Sequence, residues 1–325
     1  MANYLLTGAA GFIAARVADF LLSDGHTVFG VDNMNDAYDV RMKDYRLKRL
    51  QGMDGFTFQK LDVSDKDAVA ALADDGRQFD AVINLAARAG VRASVEDPWV
   101  YVDTNVTGTL NLLELCRQNV IPKFILASTS SVYGLDAPLP TPETYDSSYP
   151  LQPYAASKKG AEALAYSYHY LYDIDVTVFR YFTVYGSAGR PDMAMFRFAQ
   201  WLMEGRPLLV NGDGSQSRAF TYLDDIARGT ILGLKLVGFE IINLGGHESI
   251  TINELIAMME EITGEKAEIE QRPFHKADMT ANWANVEKAG RLLGWEPSVS
   301  LQDGVAKLIE WYHREREWVS QINTE

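Results

Sequence analysis

The sequence is poor in the residues that form disulfides and metal sites. Its 325 residues include one cysteine, Cys116, and five histidines. One cysteine cannot form an intramolecular disulfide, and the histidines lack the HExxH spacing of a zinc site, so we expect neither a disulfide nor a metal. Leucines surround Cys116 in a helical pattern, and free cysteine is among the most buried residue types. We therefore expect Cys116 to fill the core and not to act as a nucleophile.

Long apolar runs and an excess of positive charge are also missing. No run approaches the ~20 apolar residues that cross a bilayer, and the apolar start is too short for a signal peptide. The 30 Lys and Arg against 44 Asp and Glu give a formal net charge of −14. Such a surface repels nucleic acids and anionic membranes, so we expect neither as a partner. The sequence predicts a soluble cytoplasmic protein in which any anionic ligand meets a local basic site.

The first half of the chain alternates short apolar runs with amphipathic segments, which is typical of a parallel sheet with crossover helices. We therefore predict an α/β fold, with a doubly wound parallel sheet of the Rossmann type and a smaller α/β C-terminal domain that covers the ligand. The predicted boundaries are 1–180 plus 219–245 for the first domain and 181–218 plus 246–325 for the second. The candidate strands of the large sheet are Tyr4–Thr7, Val28–Asp32, Phe56–Leu61, Ala81–Leu85, Phe124–Ser128, Val176–Phe179 and Glu240–Leu244. Helices are predicted from near Tyr154, over Ile252–Ile262 and over Val305–Trp318.

A glycine-rich segment lies between the first predicted strand and a predicted helix. Gly8 and Gly11 permit a tight turn and the close approach of a phosphate to the backbone, and the helix dipole favours an anion there. Asp32 ends the second strand 24 positions after Gly8 (32 − 8), near the spacing of a ribose-binding carboxylate. The alternative is that Asp32 only caps a strand end. A ribose-binding carboxylate would repel a 2′-phosphate, so the pattern favours NAD over NADP as cofactor.

A possible acid–base pair follows in the predicted helix. Tyr154 and Lys158 are four positions apart and so share one helix face. A phenol titrates near ~10 in water, and a neighbouring ammonium together with a positive nicotinamide would lower its pKa. The hydroxyl-rich segment from Ser128 to Ser131 ends a predicted buried strand, at the sheet edge where such folds bind ligands. We expect Tyr154 to take a proton from a sugar hydroxyl, with one of these hydroxyls sharing it. A Tyr and Lys at this spacing also occur together on ordinary surface helices.

Together these motifs resemble the extended short-chain dehydrogenase/reductase family, and the similarity covers essentially the whole chain. The resemblance implies a bound NAD that is recycled in each turnover, a UDP-sugar under the C-terminal domain and a homodimer formed through a helix bundle. By position it implies that Thr129 is the catalytic hydroxyl beside Tyr154 and Lys158. The cofactor-binding residues that it implies are Gly8, Gly11, Phe12, Ile13, Asp32, Asn33, Asp62, Val63, Leu85, Ala86, Ala87, Asn105, Tyr154, Lys158 and Tyr181.

Several segments are more narrowly similar to UDP-glucuronate 4-epimerases: the one after Asp32, the one around Arg92, and 180–194. This likeness implies reversible C4 epimerisation of UDP-glucuronic acid to UDP-galacturonic acid through a 4-keto sugar. Ser130 and Ser131 stand where related dehydratases and decarboxylases carry an acidic residue. The substrate-binding residues that the likeness implies are Arg92, Ser130, Ser131, Thr183, Arg190, Arg218 and Asp278.

Two departures from the family pattern and three other functions remain open. Ala219 follows Arg218 where the family usually has Asp, and Asn285 follows Ala284 where an Asp is often found. A UDP-glucose/UDP-galactose 4-epimerase and a UDP-glucuronate decarboxylase are the enzymatic alternatives. A non-catalytic NAD-sensing protein is the alternative from another class, because dinucleotide folds also serve as binding modules.

Overall fold

The computed structural model describes residues 1–74, 76–246, 248–273 and 281–324, in which strands and helices alternate. The strands are β1 (Asn3–Thr7), β2 (Thr27–Asp32), β3 (Phe56–Lys60), β4 (Ala81–Asn84), β5 (Lys123–Thr129), β6 (Asp175–Tyr181), β7 (Val184–Tyr185), β8 (Leu208–Asn211), β9 (Ser217–Ala219), β10 (Thr221–Tyr222), β11 (Phe239–Leu244), β12 (Ser249–Thr251), β13 (Ile269–Arg272) and β14 (Ala281–Asn282). The α-helices are α1 (Phe12–Ser23), α2 (Arg41–Gln51), α3 (Lys66–Ala70), α4 (Ala93–Glu96), α5 (Trp99–Tyr101), α6 (Gly108–Gln118), α7 (Pro153–Tyr172), α8 (Ala194–Met203), α9 (Leu223–Leu232), α10 (Ile252–Thr263), α11 (Glu287–Leu293) and α12 (Leu301–Val319). Short 3₁₀-helices cover Ala71–Ala73 and Ser130–Tyr133, and a π-helix covers Val102–Thr107.

The large sheet confirms the predicted fold class. Its strands are all parallel, in the order β11-β6-β5-β4-β1-β2-β3. The predicted return of Glu240–Leu244 to this sheet is also confirmed, because β11 pairs with β6. The strand order reverses at β1, which pairs with both β2 and β4. In open α/β sheets the crevice at such a switch point, beyond the carboxyl ends of the strands, is the usual ligand site.

Two apolar clusters cover the two faces of this sheet. Side chains alternate between faces along a strand. Accordingly, Leu5 packs in one cluster with Leu112 of α6, and Leu6 packs in the other with Val17 of α1. Cys116 lies fully buried in the first of these clusters, as predicted. The strands in the middle of the sheet read as continuous apolar runs because helices cover them on both sides.

A second, smaller body is built on α8, α10 and α12. Phe196, Leu255 and Trp311 of these helices share one buried cluster. The body also contains two small sheets, in the orders β12-β9-β14 and β13-β8. This arrangement confirms the predicted smaller α/β part at the C-terminal side. Among the described helices, none is both long enough and apolar enough to span a membrane.

Candidate active site

The glycine-rich turn joins β1 to α1 at the switch point of the sheet. Gly8 has a φ of +69°, and a Cβ there would lie 2.9 Å from the Cα and N of Ala86. A Cβ on Gly11 would lie 2.7 Å from the Gly8 carbonyl oxygen, which accepts a hydrogen bond from the Gly11 amide. Helix α1 starts at Phe12 and Ile13, and no side chain caps it. Its first amides can therefore donate to a ligand, and the helix dipole favours an anionic one.

Asp32, at the end of β2, is buried beside this turn. Its carboxylate accepts hydrogen bonds from the amides of Ala10 at 3.2 Å and Met34 at 2.8 Å. The ammonium of Lys43, which the sequence analysis did not identify, lies 3.3 Å from Oδ1. A carboxylate has about four lone-pair positions, so one acceptor position is left for a ribose hydroxyl.

Three predicted cofactor-binding residues form the side of the site where β2 and β3 end. The Asn33 amide donates to Asp62 at 2.8 Å and so joins the two strand ends. Burial alone would raise the pKa of Asp62, but hydrogen bonds from Asn33 and Ser64 bring it below its usual value. Val63 is buried next to it, and its carbonyl accepts a hydrogen bond from Asn111. The structure thus brings the three predicted residues of this side together.

The segment after β4 borders the turn on its other side. Leu85 and Ala86 are partly exposed there, Ala87 is exposed, and the Ala86 amide donates to the Thr7 hydroxyl at 3.1 Å. Ala86 is also the residue against which a Cβ on Gly8 would clash. The close approach of this segment to the turn therefore explains why position 8 requires glycine.

Two predicted cofactor ligands use their side chains within the protein. The Asn105 side-chain amide is buried in the π-helix, exchanges hydrogen bonds with the Arg88 backbone and donates one to the Ser157 hydroxyl. The Tyr181 hydroxyl is 2.8 Å from the Thr230 hydroxyl. These two side chains therefore hold the walls of the site in place.

The predicted catalytic residues meet at the carboxyl end of β5. Thr129 ends that strand, and Tyr154 lies in the first turn of α7, which begins at Pro153 as predicted. Burial raises the pKa of Tyr154, and a hydrogen bond with Thr129 and the positive charge of Arg190 act against that rise. The ring of Tyr101 packs edge-on against Tyr154. A phenol and a hydroxyl that share a hydrogen bond can both reach one substrate oxygen.

The Lys158 side chain is anchored to the end of β5. Its ammonium donates to the Ala127 carbonyl at 2.8 Å. Burial lowers the pKa of Lys158 to about 8, while the Glu162 carboxylate acts to raise it. The expected effect of the Lys158 charge on the Tyr154 phenol stays a prediction.

A buried ion pair behind the catalytic residues was not identified from the sequence. Glu162 accepts two hydrogen bonds from Arg180, at 2.9 and 2.7 Å, and both side chains are about 2% exposed. The Ser128 hydroxyl donates to the same carboxylate at 2.5 Å. Glu162 therefore connects β5 and β6 to α7, one turn beyond Lys158. The spacing of Lys158 and Glu162 at i and i+4 was the available signal.

The hydroxyls after Thr129 line the same end of the sheet. The Ser130 hydroxyl is buried and accepts a hydrogen bond from the Asn282 amide at 3.2 Å. The Ser131 hydroxyl accepts one from Thr129 at 3.2 Å. Both oxygens act as acceptors in these bonds, so their protons can be donated to a ligand. Thr183 follows β6 nearby, and its carbonyl accepts a hydrogen bond from the Thr221 amide.

The predicted basic substrate ligands are placed differently from one another. Arg190 donates to Asp192 at 3.1 and 2.5 Å and is close enough to Tyr154 to affect its pKa. Arg218 lies in β9 opposite Asn282, the residue that contacts Ser130. Arg92 is exposed at the start of α4, and Asp278 lies outside the described residues. No group of three or more metal-ligating side chains was found among the residues that the structure describes.

The chain is similar to known proteins over nearly its whole length. Residues 4–245 match the NAD dependent epimerase/dehydratase family. A UDP-glucuronate 4-epimerase of Thermodesulfobacterium geofontis is 52% identical over 323 residues, which cover 99% of both chains. The crystal structure of UDP-glucuronic acid 4-epimerase from Bacillus cereus with UDP-glucuronic acid and NAD has a TM-score of 0.90 at 36% identity, covering 96% of this chain and 99% of that one. UDP-glucose 4-epimerase from Thermotoga maritima with UDP-glucose has a TM-score of 0.89 at 31% identity, covering 97% and 99%.

Proposed function

Because the chain belongs to the NAD-dependent epimerase/dehydratase family, we propose that it interconverts UDP-glucuronic acid and UDP-galacturonic acid by epimerisation at C4. The observation that carries this proposal is the meeting of Thr129 and Tyr154 at the carboxyl end of β5, with Arg190 close enough to influence the phenol. The 52% identity to a UDP-glucuronate 4-epimerase over almost the whole chain supports this substrate. The protein is an NAD-dependent enzyme.

The chain's own residues supply proton transfer and orientation. Gly8, Gly11 and the first amides of α1 hold the pyrophosphate of NAD, and Asp32 accepts from its ribose. When bound, NAD would supply the hydride acceptor and donor for C4 of the sugar. Tyr154 accepts the proton of the 4-hydroxyl and gives it back after the 4-keto sugar has turned over in the pocket. Thr129 hydrogen-bonds the same oxygen and shares its charge.

The site must also prevent the sugar carboxylate from being lost as CO₂. Oxidation at C4 gives a β-keto acid, which loses CO₂ readily when the bond to the carboxylate lies parallel to the carbonyl π orbitals. Ser130, Ser131 and Thr183 hold the carboxylate near the ring plane by donating hydrogen bonds, each worth ~1.5–3 kcal/mol to a charged group. The bond from Asn282 supports this role, because it orients the Ser130 hydroxyl as a donor to a ligand. The alternative is that these hydroxyls only form hydrogen bonds with backbone groups at the end of a strand.

The basic residues provide the local positive charge that an anionic UDP-sugar needs on a chain of net charge −14. Arg190 binds the diphosphate, and Arg218 lies in the small sheet that reaches Ser130 through Asn282. Arg92 and Asp278 remain predicted ligands of the UDP-sugar. In this arrangement residues 1–180 with 219–245 hold NAD, and residues 181–218 with 246–325 cover the UDP-sugar.

The activity is tested by incubating the purified protein with UDP-glucuronate, UDP-galactose and UDP-glucose in parallel and following the products by NMR. We expect UDP-galacturonate from the first and much slower conversion of the other two. Faster interconversion of UDP-glucose and UDP-galactose would move the substrate to the neutral sugars. A pentose as the main product would indicate a decarboxylase, and bound NAD without turnover would indicate a sensor.

The carboxylate role is tested by the double variant Ser130→Ala/Ser131→Ala, with the exposed Ser167→Ala on α7 as control. The loss of two donors should lower turnover of UDP-glucuronate at least ~10-fold more than that of UDP-galactose. It should also raise the fraction of pentose product detected by mass spectrometry. Equal losses on both substrates without pentose would show that these serines do not bind a carboxylate.

A homodimer is the assembly that we propose, through the face formed by α5, the π-helix and α7. This face carries exposed large apolar side chains: Trp99 at 76%, Val102, Tyr166 and Tyr170 at 75%. Clustered apolar exposure of this kind is typical of an interface. Light scattering should give twice the monomer mass, and Trp99→Glu with Tyr170→Glu should shift the protein to monomer. The cytoplasmic location stays a prediction, for which cell fractionation is the test.

A further inference from the structure

Arg46 is a buried cation that neither the cofactor motif nor the catalytic residues account for. It lies in α2, and the residue is 4% exposed. The guanidinium donates to the Ala188 carbonyl from two nitrogens, at 2.9 and 2.7 Å, and to the Gly189 carbonyl at 2.9 Å. It also donates to the Ala10 carbonyl at 3.2 Å and to the Tyr38 hydroxyl at 2.8 Å. All of these acceptors are neutral oxygens, and among the described residues no carboxylate forms an ion pair with Arg46.

These acceptors belong to two separate parts of the site. Ala10 is in the glycine-rich turn, whose amides hold the pyrophosphate of NAD in the proposed function. Ala188 and Gly189 directly precede Arg190, the proposed diphosphate ligand of the UDP-sugar. Arg46 therefore fixes the backbone of one anion site to the backbone of the other.

The hydrogen bonds from Arg46 stabilise an unusual backbone conformation at Ala188. Its φ is +54°, in the left-handed region that alanine rarely adopts. Such a conformation persists when the surroundings determine it. Here two donors from Arg46 bind the carbonyl of that same residue, and the direction of the chain into Arg190 follows from it.

Tyr38 gives a second connection between Arg46 and Arg190. Its hydroxyl accepts from Arg46, and its ring face lies 6.0 Å from the guanidinium carbon of Arg190. Arg190 is therefore held from its backbone side and from its side-chain side by groups that Arg46 fixes.

We infer that Arg46 is a positioning residue that couples the binding of the cofactor to the binding of the UDP-sugar. It fixes the position of the glycine-rich turn relative to the Ala188 and Gly189 carbonyls. When the turn has the conformation that binds NAD, Arg190 therefore faces the diphosphate of the UDP-sugar. Its charge also lies between two sites that each receive a diphosphate, and it reduces their mutual repulsion. The inference rests on the proposed function for the identity of the two ligands.

The test measures UDP binding to NAD-loaded protein by calorimetry, with KM and kcat for UDP-glucuronate alongside. Arg46→Lys keeps the positive charge but cannot make the five hydrogen bonds of the guanidinium. Arg46→Met removes both the charge and the hydrogen bonds. We expect UDP to bind ~10-fold more weakly to Arg46→Lys and weaker still to Arg46→Met. KM should rise accordingly, while kcat stays within about threefold. Arg49→Met is the control on the same helix, since its side chain is half exposed and pairs with Asp19 outside the site.

A double-variant cycle with Arg190→Met separates positioning from general damage. If Arg46 positions Arg190, the charge-preserving double variant Arg46→Lys/Arg190→Met binds UDP about as weakly as Arg190→Met alone. Additive losses, or unchanged UDP affinity in Arg46→Lys, would overturn the inference. Arg46→Lys keeps the test valid if Arg46→Met does not fold. Because UDP binding requires no turnover, an absence of epimerase activity would refute the proposed function without deciding this test.

Discussion

The two ends of the candidate site hold their ligands by different means. At the phosphate end, formed by Gly8, Gly11 and the start of α1, the binding groups are backbone amides in a turn with no room for a Cβ. At the reacting end, formed by Thr129, Tyr154 and Lys158, the groups are side chains supported by a buried ion pair. NAD binding at the phosphate end should therefore be weakened mainly by added side-chain volume. Turnover at the reacting end should be lowered mainly by changes of charge.

The largest effect is expected at the reacting end, from Tyr154→Phe. The change removes only the oxygen that carries the proton, so kcat should fall ~10³-fold, within the range for loss of a general acid–base group. Bound NAD, measured by absorbance after denaturation, should stay at the wild-type level. Tyr172→Phe, an exposed tyrosine at the end of the same helix, is the control. Activity within a few-fold of wild type would remove Tyr154 from the mechanism.

At the phosphate end, Gly8→Ala tests the effect of volume. Alanine at a φ of +69° costs about 1–2 kcal/mol of stability, and its Cβ would also press on the Ala86 backbone. NAD should bind ~10- to 100-fold more weakly in fluorescence titrations, or ~1.4–2.8 kcal/mol. Gly25→Ala has a similar φ of +79° with nothing within 4 Å, so it should lose stability without losing NAD. Equal NAD affinity in both variants would contradict the steric argument.

Glu162→Gln tests the effect of charge at the reacting end. The carboxylate favours the ammonium form of Lys158, whose pKa is about 8, so its removal should lower that pKa further. The alkaline limb of kcat/KM should then move to lower pH, because the ammonium form of Lys158 is lost at a lower pH. Breaking the buried pair should also cost ~3–5 kcal/mol of stability, followed by thermal unfolding.

Glu114→Gln is the matched control for that variant. Its carboxylate also pairs with an arginine, Arg117, but both side chains are about a third exposed. The pH profile of this variant should coincide with that of the wild type. An unshifted profile in Glu162→Gln would leave the ion pair a purely structural role.

The smallest effect is expected from Asp32→Asn, which changes charge at the end that depends mainly on shape. Wild-type protein should bind NAD far better than NADP, because Asp32 repels a 2′-phosphate. The amide still accepts a hydrogen bond, so NAD affinity should fall only about threefold. The ratio of NAD affinity to NADP affinity should fall, because the 2′-phosphate of NADP is no longer repelled. Equal wild-type affinity for both cofactors would rule out the ribose-binding role of Asp32.

The phosphate end could be predicted from the sequence because its residues are close together along the chain. Gly8 and Gly11 are read from one turn, and Asp32 from the end of the next strand. The doubly wound sheet was predictable for a similar reason, since its central strands show buried apolar runs. Tyr154 and Lys158 share one helix turn, and the sequence identified them too.

The supporting contacts could not be predicted because they join distant segments. Arg46 meets Ala188 across 142 positions, and no pattern near either residue indicates the other. Arg180 was seen only as part of a motif, since nothing local shows that it pairs with Glu162. The direction of the Lys158 ammonium toward Ala127 depends on how α7 packs on β5. Asp278 lies outside the described residues and stays a prediction.

The lone thiol in the core makes the chain suited to a labelling experiment without engineering. Cys116 is fully buried in α6, which packs against α7, and burial raises the pKa of its thiol. Because the thiolate is the reactive form, a thiol reagent modifies this residue only when the helix opens. The modification rate therefore reports the local opening of the layer that carries Tyr154. Measured with and without NAD and UDP, that rate would show how much each ligand reduces the local opening of α6 and α7.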